Sequence, residues 1–461
     1  MASFYCRWRT VLVCVCTPCI SLVLLFVYAT VMLCLSMNDG TTGLRPNHFV
    51  APGTFSNQSF GPLPKTFWEL RQHGDTIWNR LQLTIDRHFN LILHPNNTER
   101  GSDNDTLYES LRKQGFSEVT NLDSMRKSFD QLPQQLQEFV SHIHRRDYPT
   151  LIQPDGVCGA GAKDEREAPL LLLAIKSTEQ NFKNRQAIRQ TWGQARWVAG
   201  QWRKGKVGGE GEGGGYVRRV FLLGKGREED VGVSSSDLLQ IESERYGDIL
   251  QWDFRDTFFN LTLKDVLFWS WFSHSCNRTL FVFKGDDDVF VNTPKMMMYL
   301  QDQLRKPQAH KTIEDFMVGD VIVGGLPNRV NQSKYFIPDS FYKGLYPLYA
   351  GGGGVVYSGL LTKRLEHMSK RVHLFPIDDV YVGMCMVRLN ARVVHHPAFL
   401  TFDFPNRKEE EELCSYHTIL LVHKRSPTQV VKLWASMKMT QALCWDAPLR
   451  EANLNENTIK V

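Results

Sequence analysis

The run Phe283-Lys284-Gly285-Asp286-Asp287-Asp288-Val289-Phe290-Val291-Asn292 sets three carboxylates directly after the apolar Leu280-Phe281-Val282. Side chains alternate along an extended strand, so Asp286 and Asp288 face one side and Asp287 the other. Two carboxylates aimed into one space repel unless a proton or a cation lies between them. Mn2+ or Mg2+, hard ions that take oxygen ligands and bridge diphosphates, suit such a space. A bare Asp-x-Asp is often only a solvated turn. Wedged between aromatic-rich apolar segments, this one is a poor location for idle charge.

A second acidic pair lies in Pro376-Ile377-Asp378-Asp379-Val380. The first turn of a helix favours carboxylates, which is a purely structural reason for the pair. One of the two can also serve as a general base toward an acceptor hydroxyl. A lone base without a second acid fits single displacement with inversion. The glycine run in Tyr346-Pro347-Leu348-Tyr349-Ala350-Gly351-Gly352-Gly353-Gly354 forms a tight turn, or lets a ligand lie against bare backbone at Gly352 and Gly353 with Tyr349 as a sugar-stacking face. It lacks the phosphate-cradling Gly-x-x-x-x-Gly-Lys-Ser/Thr pattern. Arg185 and Arg189 are four apart, so a helix sets both guanidinium groups on one face, suited to a diphosphate or a pyrimidine. Surface arginines on a solvated helix would look the same. His423 ends the apolar Ile419-Leu420-Leu421-Val422, where an imidazole can complete a coordination sphere begun by carboxylates.

The elements that must hold these residues alternate in type. Leu170 to Ile175 is a short continuous apolar run, the mark of a strand buried on both faces. Phe182–Trp192 reads as a helix, Tyr216–Leu223 as a strand, Val231–Tyr246 as a helix and Asp248–Trp252 as a strand. Thr257–Cys276 reads as a further helix, and Leu280–Phe283 leads into the acidic triplet. This alternation predicts βαβ units and a mostly parallel sheet with helices on both faces. Ligands of such sheets bind beyond the carboxyl ends of strands, where the triplet falls. Lys204 to Gly215, rich in Gly and Glu, cannot bury a core and predicts a surface loop.

The 461 residues suffice for one large domain with appendages; 42% are hydrophobic, 22% charged, and the net charge is +5. No basic cluster interleaved with aromatics supports nucleic-acid binding. Val11 to Leu35 contains no charge, enough to cross a bilayer, and Arg7 and Arg9 precede it. The positive-inside rule then predicts an uncleaved signal anchor: a cytosolic tail over 1–10, the span over 11–35 and a lumenal remainder. Residues 36–165 read as a stem and packing segment without chemistry, and 166–461 as the catalytic domain. Sequons at Asn57, Asn96, Asn104, Asn260, Asn277 and Asn331 all follow the span, as glycosylation in a lumen requires. Cys158, Cys276, Cys385, Cys414 and Cys444 lie on that side without zinc spacing. An oxidising lumen favours disulfides, and the odd number leaves at least one thiol free or paired between chains.

Taken in order, Arg185 to Gly193, Val220 to Gly224, Phe283 to Asn292, Tyr349 to Gly354 and Asp378-Asp379-Val380 resemble the inverting β1,3-glycosyltransferases. Asp256 to Lys264, Leu374 to Val380 and Cys414-Ser415-Tyr416 look most like the N-acetyllactosaminide β1,3-N-acetylglucosaminyltransferases, the type that extends polylactosamine. The resemblance implies a GT-A fold, a UDP-N-acetylglucosamine donor, a galactose-terminated acceptor on glycoprotein or glycolipid, and a Golgi address. It implies Mn2+ or Mg2+ on Asp288, with Asp286 and His423, and donor contacts from Asp286, Asp287, Lys284, Arg185 and Arg189. It makes Asp379 the base, with Asp378, Tyr349, Gly352 and Gly353 toward the acceptor sugar. A β1,3-galactosyltransferase and a silent lectin-like relative stay open as alternatives, as does assembly with itself or with other Golgi glycosyltransferases.

Overall fold

A computed structural model of the chain describes residues 75–90, 110–111, 113–115, 117, 123–156, 158–160, 168–199, 214–226 and 235–451. The anchor expected at 11–35 and the sequons at Asn57, Asn96 and Asn104 lie outside them. No helix among the described residues is long and apolar enough to cross a membrane. These residues all belong to one compact unit.

Along the chain come helix α1 (Ile77–Phe89), β1 (Thr150–Ile152), β2 (Leu171–Lys176), α2 (Phe182–Gln190), β3 (Trp197–Ala199), β4 (Gly214–Lys225), α3 (Ser235–Tyr246), β5 (Ile249–Arg255), α4 (Leu261–Ser275) and β6 (Phe281–Asp286). They are followed by β7 (Phe290–Val291), α5 (Thr293–Arg305), β8 (Met317–Gly319), β9 (Val321–Ile322), β10 (Tyr349–Ala350), β11 (Gly354–Ser358), α6 (Gly359–Ser369) and α7 (Asp378–Arg388). Then come β12 (Val394–His395), β13 (Phe399–Leu400), β14 (Leu421–Val422) and α8 (Pro427–Cys444). The main sheet runs β1-β5-β4-β2-β6-β11-β8-β12, with β3 on β4; β10 pairs β9, and β14 lies between β13 and β7.

The apolar run of β2 is buried along its whole length because both faces of the sheet are covered. Leu172 and Ala174 join one core, with residues of α1, α4, α6 and α7. Leu171, Leu173 and Ile175 join the other, with residues of α2, α5 and α8. That is the two-residue alternation of a strand between helical layers. The expectation of a mostly parallel sheet holds for β5-β4-β2-β6 and for β12 on β8, and fails at the pairings of β1, β3 and β11. β11 runs antiparallel to both β6 and β8, so the sheet is mixed. The alternation of strands and helices that predicts parallel pairing ends at the acidic triplet; β11 instead leaves the glycine run and turns back along β6.

The boundary drawn at residue 166 cuts through the core. Ile77, Trp78, Leu81 and Ile85 of α1 are fully buried. At roughly 1.5–3 kcal/mol per large apolar side chain, they contribute on the order of 6–12 kcal/mol, an upper bound. The Trp78 indole donates to Leu374 O at 3.1 Å, and Asp86 accepts from Arg388 of α7 at 2.8 and 2.6 Å. α1 therefore belongs to the folded domain and grips the helix that begins with Asp378 and Asp379. Among the described residues, two disulfides, Cys158–Cys276 and Cys414–Cys444, leave Cys385 buried and free.

Candidate active site

β6 carries the acidic triplet out of the middle of the sheet. Its parallel register with β2 sets Lys176 beside Asp286, and its antiparallel register with β11 sets Gly285 opposite Gly354. The Asp286 amide donates to Gly353 O at 3.0 Å, fixing the strand end against the glycine run. Two residues past Asp288, β7 pairs with β14, and this short ladder delivers His423. Its Nε2 lies 3.2 Å from Asp288 Oδ1 and 3.9 Å from Asp286 Oδ2. The Arg425 amide donates to Asp288 O at 2.6 Å, and Arg425 is itself held by Asp403 at 2.5 Å.

Asp286, Asp288 and His423 each offer a ligand atom within 4.8 Å of the others. Two carboxylate oxygens and an imidazole nitrogen are a donor set that Mn2+ or Mg2+ accepts. His423 Nδ1 is buried with no hydrogen-bond partner among the described residues. Burial alone would lower the His423 pKa, yet the bond and charge of Asp288, with Asp286, raise it. Asp288 responds in the opposite sense: burial would raise it, but His423, aided by Lys334, pulls it down.

Asp287 points away from this cluster, as strand alternation requires. It accepts from Ser177 Oγ at 2.6 Å and Asn181 Nδ2 at 3.0 Å, and burial pushes it up to about 6 against those bonds. Here it ties the triplet to the start of α2.

α7 begins with the second acidic pair, in the positive field of its own N-terminus. Asp378 is bound by the Lys176 ammonium, and the Lys284 ammonium lies 3.9 Å from both Asp378 and Asp379 while holding the buried Asp265 at 2.8 Å. The two lysines thus stand among Asp265, Asp286, Asp378 and Asp379. Burial would lower the Lys176 pKa, but these four carboxylates raise it well above its usual value. The adjacent aspartates separate: burial would raise Asp378, yet Lys176 and Lys284 hold it down to about 2. Burial and the neighbouring Asp378 charge push Asp379 up to about 7. A carboxylate near 7 beside one locked ionised is an arrangement in which the first can exchange a proton near neutral pH while the second stays charged.

Gly352 lies between Asp379 and His423. A Cβ there would sit 3.8 Å from Asp379 Oδ2 and 3.7 Å from His423 Cε1, so the bare backbone keeps the space between them open. Gly353 has φ +93°, a backbone that L side chains rarely adopt, and a Cβ there would press to 3.0 Å from His423 Cγ. Thr401 Oγ1 pins the run by donating to Gly352 O at 3.0 Å. Tyr349 of β10 is half-buried beside Asp379, and burial, with the Asp379 charge, pushes its hydroxyl up to about 12.

Three expected donor contacts are corrected. Arg185 and Arg189 do share a helix face, but that face is turned into the protein. Arg185 pairs with Glu242 at 2.7 Å, and Arg189 with Glu242 at 2.6 Å and Asp248 at 2.7 Å; both arginines are buried. Their charge is neutralised within the fold. Lys284 likewise faces Asp265 and the α7 pair and presents no free cation. Sequence reasoning missed Lys176 and Asp265. A signal for Lys176 existed, since it is the charged residue that ends an apolar strand at the sheet's carboxyl edge. Of the sequons within the described residues, Asn277 and Asn331 are exposed and Asn260 is half-buried.

The family described as Galactosyltransferase matches residues 183–397. The chain is 40% identical over 389 residues to human N-acetyllactosaminide beta-1,3-N-acetylglucosaminyltransferase 2, covering 83% of this chain and 89% of that protein. It is 38% identical over 310 residues to rat UDP-GlcNAc:betaGal beta-1,3-N-acetylglucosaminyltransferase 7, covering 66% and 72%. Human UDP-GlcNAc:betaGal beta-1,3-N-acetylglucosaminyltransferase 9 is 42% identical over 318 residues, covering 64% and 73%.

Proposed function

The chain belongs to the galactosyltransferase family, among its β1,3-N-acetylglucosaminyltransferases, and we propose that it moves N-acetylglucosamine from UDP-N-acetylglucosamine to the 3-hydroxyl of a terminal galactose. The acceptor is a lactosamine-type glycan on glycoprotein or glycolipid, and the catalytic unit has a GT-A fold. The observation that carries the reading is Asp379, held near neutrality across Gly352 from the Asp286-Asp288-His423 cluster.

Asp379 takes the proton from the acceptor 3-hydroxyl as that oxygen attacks C1 of the donor sugar. The bond from C1 to the UDP oxygen breaks as the new bond forms on the opposite face, so an α-linked donor gives a β product. Asp378, locked ionised by Lys176 and Lys284, keeps Asp379 basic and fixes the first turn of α7. Tyr349 and the bare backbone at Gly352 receive the acceptor ring. Mn2+ or Mg2+ held by Asp286, Asp288 and His423 would neutralise the charge gathering on the departing UDP. Arg7 and Arg9 before the uncharged 11–35 stretch support a single-span, type II address in the Golgi membrane with the catalytic unit lumenal.

The purified protein, offered UDP-N-acetylglucosamine and UDP-galactose with a lactosamine acceptor, should use the first, and a chelator should stop it. Preference for UDP-galactose would move the chain to the β1,3-galactosyltransferases. Absence of transfer with either donor would favour the silent, lectin-like relative.

A further inference from the structure

Asp288 and His423 come from the two sides of the short β7–β14 ladder, and one residue bonds to the backbone of both. The Arg425 amide donates to Asp288 O at 2.6 Å, and its Nη1 donates to His423 O at 3.0 Å. The rest of the guanidinium is committed as well. Nη1 and Nη2 donate to Asp403 at 3.0 and 2.5 Å, and Nη2 donates to Glu410 at 3.2 Å. Arg425 is buried, so this fork is built into the fold beneath the cluster.

The chain bends to make these bonds. Lys424 has φ +60° and Asp403 φ +80°, two of the four non-glycine residues with positive φ among the described residues. Asp tolerates that backbone, and here its side chain accepts from the Phe404 amide at 2.8 Å. Lys424 is exposed and has no such local support. A conformation of this kind persists where the surroundings over-determine it. The left-handed turn at Lys424 lets a single residue hold Asp288 through its amide and His423 through its side chain.

Charge gives no reason for Arg425 to stand here, because a guanidinium beside a cation site opposes the cation. Its benefit is geometric. Asp286 and Asp288 repel each other before an ion arrives, and groups behind the ligands that fix them commonly set much of a metal's affinity. We propose that Arg425, braced by Asp403, is a positioning residue that pre-sets Asp288 and His423 to take Mn2+ or Mg2+. This rests on the metal reading above.

The test measures equilibrium Mn2+ binding, from the loss of the free ion's paramagnetic signal, with and without UDP. Melting in chelator is followed alongside, for the wild-type chain, Arg425→Met, Arg425→Lys and Asp86→Ala. Arg425→Met should weaken Mn2+ binding about tenfold to hundredfold, although loss of a positive charge alone would tighten it. Arg425→Lys keeps the charge without the planar fork, so it should fold and still bind Mn2+ more weakly than the wild type. Asp86→Ala should melt earlier yet, below its melting temperature, bind Mn2+ as the wild type does. Unchanged or tighter Mn2+ binding in Arg425→Met, full affinity in Arg425→Lys, or equal weakening in Asp86→Ala overturns the role of Arg425 and leaves the metal reading standing. A wild-type protein that binds no Mn2+, with or without UDP, overturns the metal reading and this inference with it.

Discussion

Replacing Asp86 by Ala should destabilise the whole catalytic unit, although Asp86 lies far in sequence from the chemistry. Its side chain is 3% exposed and that of Arg388 is 2% exposed, joined by two bonds of 2.8 and 2.6 Å. Truncating one partner of a buried pair leaves an uncompensated charge and costs roughly 3–5 kcal/mol. Gln82 also loses an acceptor, but it keeps Arg371 O at 3.1 Å, so that loss adds little. Against a total of about 5–15 kcal/mol for a folded domain, roughly a fifth or more of the stability disappears. Urea unfolding followed by tryptophan fluorescence reads this, because Trp78 is in the same buried layer. Removing both charges in Asp86→Ala/Arg388→Met should restore much of the loss, with a coupling of about 2–3 kcal/mol. An Asp86→Ala protein within about 0.5 kcal/mol of wild type, the range of a surface substitution, would refute the claim that α1 is part of the catalytic core.

The pH profile should carry the mark of Asp379: kcat/KM should fall as pH drops through about 7, where this carboxylate takes up its proton and stops acting as a base. Asp378→Asn removes the neighbouring negative charge, so the acidic limb should move to lower pH; a limb that stays put would exclude Asp379 as the group titrating. Gly352→Ala adds a methyl at ordinary contact distance, 3.8 Å from Asp379 Oδ2, so folding and UDP binding should survive while transfer falls, checked by thermal melting beside turnover. Cys385 is buried, and burial pushes its thiol up to about 12, so a maleimide should label it only after denaturation while the two disulfides stay intact under non-reducing conditions.

The parts of the site set by local periodicity were legible in the sequence. Two-residue alternation separates Asp286 and Asp288 from Asp287, and the structure shows that separation directly. The apolar runs marked β2, β4, β5 and β6 to within a few residues, because stretches such as Leu171–Ile175 and Val220–Leu223 are apolar at consecutive positions and buried on both faces of the sheet. What pairing and long-range packing decide stayed hidden. Lys176 reaches Asp286 only through the β2–β6 register, and Lys284 finds Asp265 on a helix that periodicity cannot orient. The spacing of Arg185 and Arg189 predicts one shared face but says nothing of what that face meets, which is Glu242 and Asp248. The spaced apolar residues of Phe67 to Leu93 predict helical turns packed on the main domain, which α1 is, but not which residues it meets, because Arg371 to Leu374 and Arg388 come about three hundred positions later.

Asp379→Asn tests the identity of the base most directly. Removing a general base typically costs about 10²–10⁴ in rate and spares ground-state binding of the donor. The variant should melt like the wild type and bind UDP with Mn2+ normally, yet transfer almost no N-acetylglucosamine to a lactosamine acceptor at saturation. Wild-type turnover in Asp379→Asn, or loss of UDP binding with the fold intact, would contradict the assignment of the base.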